Sequence, residues 1–249
     1  MSGAALATLA ALALAAIPGA SRASAPGRPI RVLVIVGGHD YERDPFAAMW
    51  AALPGVEWTL AEHPDAHRLL APGEAARFDV ITFYDLWQKI DDASKRNMLG
   101  LTRAGKGLVF LHHALGGYED WPEYARLVGG RWSSRTRVVY GKAKAPSTYQ
   151  HDVRMKLVVA NPRHPVTAGV GPFELVDETY GGFDVDHDVR PLLTTDEASS
   201  ERVVAWEHTV GRSRVVYLQA GHDHVAYASP SYRRLLLQAI CWAARRRAP

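Results

Sequence analysis

The 249-residue chain holds a single cysteine, Cys241. One thiol excludes an internal disulfide framework, a CxxC redox pair and any cysteine-rich zinc or iron–sulfur centre. Set between Ile240 and Trp242 in a helix-like segment, it reads as a small apolar core residue. The excess of positive charge is small too: 29 Lys and Arg face 26 Asp and Glu, and Arg245, Arg246 and Arg247 sit together at the C-terminus. Without a basic stripe, a net charge of +3 makes no case for nucleic acid as a partner. The N-terminal apolar run, Ala4 to Ile17, covers 14 positions. A membrane-spanning helix needs about 18 or more. Several catalytic signatures are missing as well. There is no GxGxxG after the first apolar run, no GxxxxGK[ST], no GxSxG and no HExxH. Dinucleotide, P-loop, serine-elbow and zincin readings therefore have no support.

What remains is an ordinary globular composition, 47% hydrophobic and 22% charged. Small residues follow the N-terminal run, and Ser21-Arg22-Ala23 supplies a small-x-small pattern. This predicts a signal peptide over residues 1–23, a linker over 24–29 and one domain over 30–249. An uncleaved anchor or a different start codon are the competing readings. The expectation is a secreted or periplasmic protein with no membrane attachment after cleavage; a lipobox cysteine is lacking.

Arg31–Val36 is continuously apolar and ends in Gly37-Gly38, as suits a strand buried on both faces of a parallel sheet. Further strands are predicted at Val56–Ala61, Phe78–Tyr84 and Leu108–Leu111. Helices fall between them, at Pro45–Leu53 with Asp44 as cap, and at Asp91–Ala104 ended by Gly105. Strand and helix alternating at this spacing predict an α/β sheet with right-handed crossovers. A short helix is expected at Trp121–Val128, and Arg131–Tyr149 reads as a hairpin or excursion whose Arg135, Arg137, Lys142 and Lys144 form a solvated face. Lys156–Ala160 is a strand, Val203–Glu207 and Arg214–Gln219 a hairpin, and Ser231–Arg245 the closing helix.

Ligands of open α/β sheets bind beyond the carboxyl ends of the strands. His39, Asp40 and Tyr41 follow the first strand, Asp85 the third, His112 and His113 the fourth, and His222, Asp223 and His224 the last long one. Such histidines can hold a metal, move a proton or tie down a loop, and all three roles stay open. Three imidazoles with a carboxylate such as Glu178 would suit Zn²⁺, Mn²⁺ or Ni²⁺, with His39, His113 and His222 the candidate ligands. His112 and His113 are adjacent, so their side chains diverge and one is expected to face a pocket. Glu178 is preferred to Asp177 as a reactive carboxylate because Tyr180-Gly181-Gly182 reads as a loop closing over something. Tyr41, Tyr84, Trp87 and Tyr118 could stack on a sugar ring, or simply belong to the core. His63 and His67 read as solvent-facing, and His164 as a turn residue.

Six short motifs occur in order: Gly37-Gly38-His39-Asp40, Gly105 to Ala114, His164-Pro165-Val166-Thr167, Asp177-Glu178-Thr179-Tyr180, Val204 to His208, and Gly221-His222-Asp223. Together they resemble the ThuA-like (trehalose utilization) family over about residues 30–245. The resemblance implies a flavodoxin-like, class I glutamine amidotransferase-like three-layer sandwich with a mostly parallel sheet. It also implies a role in sugar catabolism linked to 3-keto-glycosides. The related amidotransferases carry a nucleophilic cysteine after strand four, where this chain has His112 or His113, so glutamine hydrolysis is not expected. The expected protein is an exported enzyme acting on a glycoside or 3-keto-glycoside. His113 or His112 would be its base, His222 or Glu178 its acid partner, and His39, Asp40, Tyr41, Tyr84, Asp85 and Asp223 would contact substrate. A metal-dependent hydrolase and a sugar-binding accessory protein without turnover are the rivals. A small carbohydrate is the expected partner, and a homo-oligomer is allowed.

Overall fold

The computed structural model describes Met1, residues 28–139 and residues 141–248. The signal peptide and most of the linker read from the sequence lie outside the described residues. Strands β1 (Ile30–Gly37), β2 (Val56–Glu62), β3 (Val80–Asp85) and β4 (Gly107–Leu111) form where the apolar runs predict them, with ends shifted by one or two residues. Short strands β5 (Gly130–Arg131), β6 (Arg137–Val139) and β7 (Lys142–Lys144) follow. A long antiparallel ribbon comes next, β8 (Thr148–Val159) with β9 (Phe173–Gly181), and then β10 (Asp184–Val185), β11 (Arg190–Thr194), β12 (Val203–Val210) and β13 (Ser213–Leu218). The helices are α1 (Arg43–Ala51), α2 (Pro72–Ala75), α3 (Asp92–Ala104), α4 (Pro122–Val128), α5 (His224–Ala228) and α6 (Pro230–Ala243).

The main sheet runs β2-β1-β3-β4-β13-β12-β11-β8-β9. From β2 to β13 every neighbour is parallel, in the doubly wound order whose direction switches between β1 and β3. The last four strands extend it antiparallel. Alternation within the parallel strands divides the core in two. Val32, Val34 and Val36 of β1 face Phe46, Trp50 and Leu236 from α1 and α6, whereas Leu33 and Ile35 face the side holding Met98 and Leu101 of α3 and Leu127 of α4. Because both faces of β1 are covered, its run lacks polar alternation, and the result is the expected three-layer α/β sandwich.

The structure departs from the sequence reading in four places. Helix α1 starts at Arg43 after a Glu42 cap, leaving Asp44 and Pro45 in its first turn, where a missing backbone N–H costs nothing. Arg137 is buried against Asp184, with Nε 2.7 Å from Oδ2, and Lys144 Nζ lies 2.7 Å from Oδ1 of the same carboxylate. The basic hairpin is thus pinned by two of the cations read as solvated, while Arg135 and Lys142 are exposed. Third, Asp177 to Gly181 continue strand β9 and are not a loop. Last, α5 and β11 have no counterpart in the sequence reading. Among the described residues no helix is long and apolar enough to cross a membrane.

His208 on β12 donates from Nε2 to the Leu127 carbonyl at 3.1 Å, and burial pushes its pKa below the ordinary 6.5. The unfolded chain therefore binds this proton more readily. The stability contributed by a neutral His208 is complete above pH 6.5 and is lost as pH falls below it. His208→Asn, which keeps a donor without the titration, should show a shallower fall of Tm than wild type between about pH 6.5 and 5 in thermal unfolding.

Candidate active site

Three strand ends and the tip of the β8–β9 ribbon meet at the carboxyl edge of the parallel strands. After β1 the chain turns through Gly38 at φ +80°, where a Cβ would lie 1.8 Å from the Leu86 carbonyl oxygen. Only glycine fits, and the turn brings His39 back over the edge. After β4, His112 takes φ +52°, a left-handed conformation that costs a non-glycine residue roughly 1–3 kcal/mol. Two contacts hold it there: Tyr217 Oη donates to the His112 carbonyl at 3.0 Å, and His112 Nδ1 donates to the Gln219 carbonyl at 2.8 Å. This sharp turn separates the two rings. His113 packs on Tyr84 and His39, with ring centroids 4.3 and 4.8 Å away. His112 Nε2 faces Glu178 Oε2 at 3.0 Å and His222 Nδ1 at 3.1 Å.

Strand β9 supplies both carboxylates, and its alternation sends them to different tasks. Asp177 accepts from the backbone N–H groups of Gly221 at 2.7 Å, His222 at 3.0 Å and Glu178 at 2.8 Å. Burial pushes its pKa up against the pull of His112 and these donors. The ribbon slips register between Gln150 and Val153, where Asp152 adopts φ +57°. Such a bulge bends a strand, and His151 beside it lies with Nδ1 3.4 Å from Glu178 Oε1.

The result is a cleft of about 260 Å³. His39, His113, His151 and Glu178 form its polar wall, and Trp87, Trp132, Tyr149 and Tyr180 its aromatic one. His113 is 4% exposed, and neither ring nitrogen has a hydrogen-bond partner among the described residues. Burial, then the charges of His112 and His39, drive its pKa well below the ordinary imidazole value, so the ring is held neutral. His222 moves the other way. Its hydrogen bond to Glu178 raises its pKa against burial, while burial of Glu178 is outweighed by hydrogen bonds from His112 and His222 that hold its carboxyl far below the usual range.

Of the residues read from the sequence as site candidates, His39, Trp87, His113 and Glu178 line the cleft, and His112 and His222 stand against Glu178. The others are placed elsewhere, which corrects the substrate contacts expected of them. Tyr84 is a buried support whose hydroxyl donates to the Gly221 carbonyl at 2.9 Å. Tyr41 packs edge-on against Phe46 and Tyr84. Asp223 caps α5, accepting from Val225 N at 2.9 Å. Asp40 is exposed and outside the cleft lining. Asp85 is fully buried against His63, with Nε2 2.8 Å from Oδ2. His63 and His67 are therefore not solvent-facing: Tyr118 Oη lies 3.2 Å from His63 Nε2 and 2.9 Å from His67 Nε2. His164 does act in a turn, Nδ1 accepting from Val166 N at 3.2 Å. Cys241 is buried in α6, and His112 occupies the elbow. Among the described residues, ligand-type atoms of His112, Glu178 and the partly exposed His222 lie within 4.8 Å of one another, a grouping that shares His222 alone with the metal ligands expected from the sequence.

Sequence reasoning missed Trp132, Tyr149 and His151. They sit in or beside a stretch read as an excursion, and their place depends on the pairing of Tyr149 with Tyr180. That pairing has no local signal.

A doubly wound sheet with a histidine elbow after β4 and an imidazole–carboxylate cleft at its edge defines a flavodoxin-like, glutamine amidotransferase-like fold without the thiol. A family model described as ThuA, trehalose utilisation, matches residues 31–243, and the chain belongs to that family. No curated protein matches it. A ThuA-like protein of Parabacteroides merdae superposes with a TM-score of 0.72 at 17% identity, over 87% of this chain and 90% of that one. A cytoplasmic protein of Salmonella typhimurium superposes at 0.62 and 12% identity, over 85% and 98% of the two chains. The β-galactosidase of Rahnella sp. R3 shares the fold at 0.51 and 9% identity, over 82% of this chain and 30% of its own.

Asp177→Ala leaves buried N–H groups of Gly221, His222 and Glu178 without their acceptor. At about 1–3 kcal/mol for each buried donor left unmade, a loss of roughly 3 kcal/mol or more is expected in urea unfolding. A loss below about 1 kcal/mol would mean that the carboxylate does not hold the loop.

Proposed function

We propose that this ThuA-family protein is an exported enzyme that acts on a glycoside or 3-keto-glycoside by histidine and carboxylate acid–base chemistry. The opposed bias of one imidazole in the cleft and another behind its wall carries the reading: His113 is neutral and unpartnered, and His222, beside Glu178, is pushed by it toward the charged form. Titratable groups whose environments push them apart divide base and acid roles. The family description supports a sugar substrate. So does the aromatic wall, where Trp87 is 56% exposed and Tyr149 60% exposed. Flat apolar faces of a pyranose stack on such rings, and the volume suits about one ring. The apolar N-terminal leader supports export.

A ketone at C3 acidifies the C2–H bond. His113 takes that proton, and the electron pair moves into an enolate whose oxygen is met by the positive charge at His222. The carbonyl then re-forms, a C1=C2 double bond appears, the C1–O bond breaks, and the departing alkoxide takes up the proton of charged His222, which is left neutral. His39 at the mouth, half-buried and pushed below its ordinary pKa by burial, orients the ring as a neutral hydrogen-bonding group. A sugar-binding accessory protein would use the same aromatic wall without these steps.

Product formation from trehalose and 3-keto-trehalose, measured beside calorimetric binding, tests the assignment. His113→Gln should lower turnover by about 10² or more while sugar binding persists. Near-wild-type turnover in both His113→Gln and His222→Ala would remove the acid–base assignment. Tight binding by the wild type with no product would favour the accessory protein.

A further inference from the structure

The geometry points to a Zn²⁺ site formed by His112 Nε2, Glu178 Oε2 and His222 Nδ1. His112 Nδ1 faces the Gln219 carbonyl, which only accepts, so that nitrogen carries a proton and fixes the ring. The other nitrogen is left for the cleft side, and it is crowded. It lies 3.0 Å from Glu178 Oε2 and 3.1 Å from His222 Nδ1, and those two atoms lie 3.5 Å from each other. Tyr180 Oη is also 3.0 Å from Nε2. One proton can satisfy one of these contacts. Three ligand-type atoms gathered within 3.5 Å of one another offer a single ion three donors in place of that proton.

The triangle has the right size. Bonds of about 2.0–2.1 Å in tetrahedral geometry put neighbouring ligand atoms about 3.3 Å apart, and the three edges observed are 3.0, 3.1 and 3.5 Å. An ion seated on one side of the triangle binds without rebuilding the site. Two imidazoles and a carboxylate form a borderline donor set that suits Zn²⁺, and three protein ligands leave a fourth position open.

The supports behind the ligands are those a metal centre requires. The Gln219 carbonyl orients His112, His151 Nδ1 lies 3.4 Å from the free oxygen of Glu178, and Asp177 anchors the backbone of His222. The ligands come from three separate segments, the turn after β4, strand β9 and the loop after β13, so the folded scaffold creates the site. The ion would replace the protons that otherwise hold the triangle and would take over the positive charge assigned above to His222. The proposal goes beyond the sugar reading and does not need it, because metal binding is measured without substrate.

Protein stripped with chelator and titrated with ZnCl₂ in a calorimeter should bind one equivalent with micromolar or tighter affinity, and Tm should rise with the ion. His222→Ala and Glu178→Gln should each weaken binding by about 100-fold or more. His222 is partly exposed, so its variant is expected to fold even if the buried Glu178 variant does not; circular dichroism checks both. Asp186, His187 and Asp188 form an exposed cluster elsewhere, and His187→Ala should leave the titration unchanged. No binding tighter than about 100 μM, or binding lost in His187→Ala and kept in folded His222→Ala, would overturn the site. Zn²⁺ bound as expected with no sugar turnover would leave the metal site standing and remove the proposed reaction alone.

Discussion

Everything at the carboxyl edge depends on a carboxylate removed from water. Asp177 is 2% exposed, and its charge is stabilised by three backbone N–H donors. A buried ionised carboxyl is costly unless such donors surround it. Here the donors belong to the loop after β13 and the acceptor to the outermost strand of the antiparallel extension. One residue thus joins the two halves of the sheet where the cleft lies. The next residue, Glu178, points to the opposite side and meets the elbow histidine. Without that anchor, the ribbon tip and the His222 loop would be separate surface features.

The same edge sorts histidines by surroundings. His113 is enclosed among aromatic and imidazole rings with no carboxylate partner, so burial keeps it uncharged. His222 has a carboxylate beside it and is pushed the other way. The His63–Asp85 pair, closed under Tyr118, serves the scaffold. Three fates for one side-chain type within a few strand ends show why residue identity alone does not define a role; the partner of each nitrogen does.

Much of the parallel half is legible in the primary structure. β1 and β4 are apolar on both faces because both are covered, and the polar residues after such strands fall at the ligand edge by topology. His39, His112, His113 and His222 follow from that rule. The ribbon is legible only in part. The first five residues of β8 are exposed, so Thr148 to Asp152 lack the alternation of a half-buried strand and resemble a loop. The roles of Tyr149 and His151 come from pairing with β9 about thirty positions later, which no local pattern records. Asp85 and His63 illustrate the converse: a polar residue at a strand end reads as a ligand contact, but the structure pairs it with a histidine from the turn after β2, two strands away.

The irregularity in β8 has a consequence for how such a cleft can change. Side chains on a strand alternate between its two sides, so lengthening or shortening the bulge near Asp152 by one residue would exchange the groups that the ribbon presents inward. The elbow and the parallel strands would be untouched. The lining of the cleft can therefore change through the accessory ribbon while the imidazole after β4 stays in place, so that one wall is adjustable by a local change and the other is fixed by the parallel sheet.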